Sequence, residues 1–177
     1  AEAVKRLKLI GVNPDEIDAI LVTHEHHDHI KGVDAFSYKY DKPIFAHKSV
    51  WENMKFKLIK TPSKNRRFFE TDTFNLRDVV VHAVEVPHDV PCFGFCFENN
   101  GAKISILTDV GHTSDRILES IRGSQLVYLE AVSYTHLTLP STCVVYSSQL
   151  SLAPIQNNTG NSTTHQSVTY IAPLCFT

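Results

Sequence analysis

One heptapeptide limits what this chain can be. Thr23-His24-Glu25-His26-His27-Asp28-His29 follows an apolar, strand-like run from Ile17 to Val22 and fits the spacing H-x-H-x-D-H. Imidazole nitrogen and carboxylate oxygen together suit zinc, manganese or iron. Alternate residues of extended backbone point the same way, so His24 and His26 share a side. Asp28 and His29, past the bend, are free to turn towards a second ion. Two ions roughly 3.5 to 4 Å apart are a recurrent apparatus for hydrolysing phosphoesters and amides. Such a site needs partners from elsewhere in the chain.

Those partners sit where strands end. Val79 to Val86 is strongly β-branched and runs into Pro87-His88-Asp89, so His88 emerges where a strand gives way to a loop. Ile104 to Leu107 runs into Thr108-Asp109, where a carboxylate could bridge two metals. The order His24, His26, Asp28, His29, then His88, then Asp109 resembles the ligand order of the metallo-β-lactamase superfamily. Within that superfamily, the runs Val86 to Phe95 and Leu107 to Gly111 are similar to the YycJ or WalJ branch of bacterial DNA exonucleases. The resemblance covers residues 1 to 131.

The resemblance implies an α+β fold, an αββα sandwich, and a metal-dependent hydrolase acting on DNA phosphodiesters. On that basis His24, His26 and His88 are expected to hold the first of two divalent ions, zinc or manganese. Asp28 and His29 are expected to hold the second, with Asp109 bridging. A hydroxide between the ions, its pKa lowered towards ~7, is the expected nucleophile, so Asp28, His88 and Asp109 carry the catalytic assignment. The family supplies one further histidine from a later segment; His136 and His165 do not match its context. A thioesterase or lactonase of the glyoxalase II kind would use the same ligands on a carbonyl. A nuclease of the RNA-processing type would need an inserted domain after Asp109, for which there is no room. A metal-binding fragment without turnover is the third alternative.

Charge divides the chain sharply. All 17 Lys and Arg and all 19 Asp and Glu lie in residues 1–131, and the remaining 46 residues carry none. At an ordinary charged fraction of ~25%, so long an uncharged stretch arises roughly once in a million by chance. A membrane span does not explain it, because no apolar run of ~20 residues is present there. Val132 to Pro140 resembles translated adapter sequence, so residues 132–177 are expected to be a non-native tail outside the fold. The glycosylation-like triplets at Asn157 and Asn161 are expected by accident in so Ser/Thr-rich a stretch. At the other end, Val4, Leu7 and Ile10 mark the last turns of a helix closed by Gly11. The resemblance places β-strands before that helix, so the sequence is expected to be truncated at both ends, with one partial domain over residues 1–131.

Between those limits the pattern predicts helices over Ile30 to Tyr40, Ser49 to Lys57 and Thr113 to Ile121. Strands are predicted at Pro43 to Ala46, Arg67 to Glu70, Val79 to Val86, Cys92 to Phe97, Lys103 to Leu107 and Leu126 to Leu129. Asn99-Asn100-Gly101 reads as a hairpin turn, and Phe93, Phe95 and Phe97 share one face of their strand, against a core. Cys92 and Cys96 lie ~13 Å apart on a strand, too far for a disulfide. That usage points to a reducing compartment, the cytoplasm, and neither thiol is needed as a ligand. Lys55, Lys57, Lys60, Lys64, Arg66 and Arg67 form a basic stretch with no acid among them and Phe56 interleaved, a candidate track for a DNA backbone. His27 is expected to face away from the ions. His47 and His82 are expected to be structural or exposed, as is His112, although it lies near enough to Asp109 to approach the cleft. Thr23, Glu25 and Asp89 neighbour ligands and are candidates to fix ring orientation.

Overall fold

The computed structural model describes residues 2–131 and 142–147. In chain order its elements are α1 (Glu2–Leu9), β1 (Ile20–Leu21), α2 (His27–Ile30), α3 (Val33–Tyr40), β2 (Ile44–His47), α4 (Lys48–Met54) and β3 (Arg66–Phe69). There follow β4 (Thr73–Leu76), β5 (Val79–Val86), β6 (Cys92–Asn99), β7 (Ala102–Val110), α5 (Asp115–Ile121), β8 (Leu126–Ala131) and β9 (Thr142–Ser147). The first three strands form a parallel sheet, and the other six form a second sheet in sequence order. The second sheet is antiparallel except between β7 and β8, where α5 makes the crossover that a parallel pair requires.

Alternation along β5 and β6 creates the layers. Val81, Ala83, Phe93 and Phe95 face one core, while Val84, Val86, Cys92 and Cys96 face another, shared with Ile117 and Ile121 of α5. Phe97 packs against the first core, so the expected row of three rings holds. In β2 the buried residues Ile44 and Ala46 join the cluster of Val50, Trp51 and Met54 from α4. Its other face meets the second sheet, with Phe45 stacked 5.8 Å from Phe74 and His47 stacked 4.3 Å from Phe93. Phe69 of β3 completes this aromatic seam against Phe74 at 4.6 Å and Phe95 at 6.2 Å. Helix, sheet, sheet and helix therefore stack in the order expected of an αββα sandwich.

Several elements differ from the sequence pattern. The helix predicted over residues 30–40 is the shorter α3, while the motif itself ends in α2; Gly32 between them takes φ 92°, a left-handed value that lets α3 leave in a new direction. The strand expected from Ile17 shrinks to Ile20–Leu21, since Asn13 caps a 3-10 turn over Pro14–Glu16 that holds Ile17 at its end. Strand β4 was not legible: only Phe74 and Leu76 alternate, and the turn into β5 uses Arg77 at φ 54°. Of the stretch expected to lie outside the fold, residues 142–147 form β9, which pairs antiparallel along the whole of β8, and the rest is outside the described residues. Val144, Val145 and Tyr146 favour extended backbone, and the free edge of β8 offers the hydrogen-bonding groups to pair with. His136, His165, Cys175 and the triplets at Asn157 and Asn161 lie outside the described residues. Among the described residues no helix is long and apolar enough to cross a membrane.

One polar brace fixes the long connection from α4 to β3. The half-buried Asp34 carboxylate of α3 accepts the Thr61 hydroxyl at 2.7 Å and the Thr61 and Lys60 amides at 2.8 and 3.0 Å. Burial opposes ionisation of Asp34, but these donors outweigh it and hold its pKa below the ordinary value. Asp34→Ala is expected to cost about 1–3 kcal/mol in chemical denaturation near pH 7, because three donors lose a charged acceptor. A group with a depressed folded pKa stabilises above its unfolded pKa, so the difference from wild type should shrink as the pH falls through the acid range below 3.8.

Candidate metal centre

Three chain segments meet at one edge of the sandwich. The Val22 amide donates to Phe45 O at 2.9 Å and the Phe93 amide to Thr23 O at 3.0 Å, so the motif loop is pinned to both sheets as it leaves β1. His88 sits in the connection between β5 and β6. Asp109 sits near the end of β7, where the pairing with β8 slips between Leu107 and Val110 and Asp109 takes φ 56°. A bulge with a left-handed non-glycine residue stores strain, and here it points the carboxylate at the histidines. The Gly111 amide then donates to Pro87 O at 3.0 Å, joining the Asp109 segment to the His88 segment. A Cβ on Gly111 would lie 2.8 Å from that same oxygen, so only glycine permits the approach.

Four imidazoles converge there. The His24 ring lies 4.7 Å from His26, 4.1 Å from His29 and 4.8 Å from His88, centroid to centroid. Two trios offer ligand atoms within 4.8 Å of one another: His24, His26 and His88, and His24, His29 and Asp109. Buried polar atoms in proteins normally have partners. Here the buried His24 Nε2 and Asp109 Oδ2 have no hydrogen-bond partner, although Asp109 Oδ2 stands 2.9 Å from His29 Nε2 and 3.7 Å from His24 Nε2. Contact without a donor aimed along it, repeated at the centre of an imidazole cluster, fits a divalent cation bound by nitrogen and carboxylate oxygen.

The surroundings orient these rings. His24 Nδ1 lies 3.1 Å from Thr23 Oγ1 and 3.5 Å from the buried Cys92 Sγ, which leaves Nε2 to face the site. His26 Nδ1 lies 3.2 Å from His88 Nε2, and Asp89 spans the pair, 3.5 Å from His26 Nε2 and 3.1 Å from His88 Nε2. On His26 the carboxylate lies on the nitrogen turned away from His88, the position from which a carboxylate fixes ring and tautomer, whereas on His88 it meets the same Nε2 that faces His26. Burial, with the nearby His29 charge, lowers the His24 pKa to about 4, so this ring is neutral and ready to ligate at neutral pH. Burial acts to lower His29 as well, but contact with Asp109 outweighs it and holds His29 above its ordinary value. Asp109 is held low in turn by His29, against burial. Burial raises the Cys92 thiol to about 12, helped by the Asp109 charge, so it remains a neutral thiol.

Some expected residues stand apart. Asp28 is 70% exposed and belongs to neither trio, with Oδ2 3.6 Å from His29 Nε2. His27 and His112 are exposed, His47 caps α4 by accepting the Ser49 amide, and His82 lies between Thr73 and Glu98. Glu25 is buried, with Oε1 accepting from Asn53 and Oε2 unpartnered, and touches none of the candidate ligand rings. Two residues beside the cluster, Cys92 and Glu130, carry no ligand spacing in the sequence. Burial and then the charge of Asp109 raise the Glu130 pKa, which places this strand-end acid beside the cluster. Its one sequence signal is a carboxylate closing an apolar strand, the same signal as Asp109. Of the basic stretch, Lys64 pairs with Asp41, Arg66 donates to the Thr61 and Leu58 carbonyls, and Lys57 Nζ donates to Glu25 O at 3.0 Å. Lys55, Lys60 and Arg67 are exposed and make no ion pair among the described residues.

The sequence matches the beta-lactamase superfamily domain over residues 3–169. The chain belongs to that superfamily. It is 35% identical over 127 residues to exodeoxyribonuclease YycJ of Bacillus anthracis, covering 70% of this chain and 48% of the relative. It is also 35% identical over 130 residues to exodeoxyribonuclease WalJ of Streptococcus pneumoniae serotype 2 (strain D39), covering 69% and 47%. The chain thus spans about half the length of the curated relatives it matches. Among solved structures, the metallo-beta-lactamase fold protein YhfI of Bacillus subtilis superposes with a TM-score of 0.59 at 19% identity, over 71% of this chain and 54% of that one. The α+β sandwich is therefore the metallo-β-lactamase fold. Superfamily membership and the histidine cluster agree on a divalent metal centre.

Metal content separates ligands from bystanders. His26→Ala is expected to lower bound zinc or manganese well below that of His27→Ala, and Asp89→Ala to weaken affinity about 10- to 100-fold. Equal metal content by elemental analysis in the three variants would refute the arrangement. The metal-free protein should also respond to pH. His24 titrates near 4 when folded and 6.5 when unfolded, so the unfolded chain takes up the proton first and stability should fall as pH drops from 6.5 towards 4. His29 acts oppositely, its contribution present below 6.5 and lost as pH rises through its raised value. Thermal melts in chelator across pH 4.5–8 should show a maximum, and a flat acid limb would count against a buried neutral His24.

Proposed function

We propose that the protein is a metal-dependent DNA exonuclease, a hydrolase of phosphodiesters acting in the cytoplasm with two divalent ions, zinc or manganese. The observation that carries this reading is the pair of ligand trios sharing His24, with unpartnered buried His24 Nε2 and Asp109 Oδ2 between them. His24, His26 and His88 would hold one ion. His29, with Asp28 and Asp109, would hold the other, because one imidazole nitrogen serves a single ion and His24 Nδ1 is already taken up by Thr23 and Cys92. Such ions, when bound, supply Lewis acidity and an activated water at neutral pH. The residues of the chain do the rest: Asp109 brings negative charge between the two groups, and Asp89 keeps His26 facing inward.

The two exodeoxyribonuclease relatives support a DNA substrate, and so does the exposed cationic edge of Lys55, Lys60 and Arg67. Lys57 links that edge to the motif loop through the Glu25 carbonyl. Free thiols at Cys92 and Cys96 agree with a reducing compartment.

Given manganese and end-labelled DNA, the protein is expected to release nucleotides, and Asp109→Ala to reduce release by roughly 100-fold or more. Release should weaken as salt rises, because phosphate contacts displace condensed counterions. Turnover of a thioester or lactone with no release of nucleotides would replace this reading with a carbonyl hydrolase of the same fold.

A further inference from the structure

The connection leaving α4 turns two large apolar side chains outward: Phe56 is 81% exposed and Ile59 76%. Their exposure does not come from a slack loop. Met54 and Leu58 on either side of Phe56 are buried, and the Lys57 and Leu58 amides both donate to Met54 O. Lys57 Nζ is tied to the Glu25 carbonyl, and the Lys60 and Thr61 amides to Asp34. A braced backbone thus holds an aromatic ring in solvent. The Lys55 ammonium lies 5.1 Å from the centre of that ring. Residues 55–67 contain no acid at all. The tie through Lys57 ends on Glu25, between His24 and His26, so Phe56 is one residue from a direct bond to the metal-binding loop.

We propose that Phe56, with Ile59 beside it in the chain, is a stacking platform for an unpaired base of the nucleic-acid strand that enters the metal centre, with Lys55 and Lys60 taking neighbouring phosphates. This deepens the exonuclease reading and rests on it. Stacking suits an exposed ring flanked by cations, since every base has a π face and every nucleotide brings a phosphate. A second copy of this chain is the poorer occupant, because a twofold contact through this surface would set its cations against themselves.

The test measures binding of a labelled single-stranded oligonucleotide and of a blunt duplex by fluorescence anisotropy, using the whole chain in chelator so that no turnover occurs. Phe56→Ala should weaken single-strand binding at least about fivefold, the lower end of the loss of one base–aromatic stack. Phe56→Trp should restore it, Phe56→Leu should not, and duplex binding should change little in all three. Wild-type affinity in Phe56→Ala would overturn the proposal. So would full binding by Phe56→Leu, which would show that apolar bulk suffices, or a dimer that Phe56→Ala converts to monomer without loss of DNA affinity. Should the alanine variant melt early, Leu against Trp decides alone, since both keep the bulk. Manganese-dependent release by the unmodified chain, run alongside, separates the two failures. Release with unaffected Phe56 variants sinks the platform only, whereas neither release nor binding by the unmodified chain sinks the exonuclease reading.

Discussion

Buried imidazole nitrogen facing buried carboxylate oxygen, with no hydrogen bond between them, is the constraint on which the rest of this molecule depends. Leaving such atoms unpaired is costly in a medium of low polarity. At this site His24 Nε2 and Asp109 Oδ2 lie 3.7 Å apart and neither makes a well-directed hydrogen bond, although His29 Nε2 stands 2.9 Å from the oxygen. A divalent cation bound by imidazole nitrogen and carboxylate oxygen satisfies both at once. The strain at Asp109, with its φ of 56°, belongs to the same arrangement: the backbone bends into an unfavoured region to bring the carboxylate to the rings.

The two sheets make that convergence possible. The motif loop leaves the parallel sheet and is held to the other by the Phe93 amide, while His88 and Asp109 come from the antiparallel sheet. The aromatic seam of Phe45, His47, Phe69, Phe74 and Phe93 fixes the distance between the sheets, and through it the distance between the ligand sets. At the rim, the Gly111 amide and Pro87 carbonyl clamp the two loops of the second sheet together. Movement at any of these joints would change the spacing of the ligands, because packed interfaces transmit displacement instead of absorbing it.

The basic connection after α4 is coupled to the same centre. Glu25 lies within the motif yet belongs to neither ligand trio; its side chain accepts from Asn53 and its carbonyl from Lys57, so both ends of this link hold α4 and its following loop against the metal-binding segment. Half of the cations that looked like one uniform track are used internally, by Glu25, Asp41 and the carbonyls of Leu58 and Thr61. Those that remain outward, with Phe56 among them, form a smaller and more specific surface than their number in the sequence suggests.

What the sequence determined alone was the set of residues that cluster as candidate ligands and most of the strands. H-x-H-x-D-H, His88 and Asp109 are legible because ligand type and strand-end position are local properties, and β5 and β6 are legible because alternation with β-branched and aromatic residues is a local pattern. Tertiary structure decided what depends on long-range contact. It left Asp28 at the edge while drawing in Cys92 and Glu130, since proximity to His24 across 68 residues or to Asp109 across 21 leaves no mark on spacing. It wound the end of the motif into a short helix of its own, His27–Ile30, and turned the chain at Gly32 from the cluster to cover the first sheet. It also recruited residues 142–147 as β9, because strand pairing is carried by the backbone and is indifferent to the absence of charge that set this stretch apart.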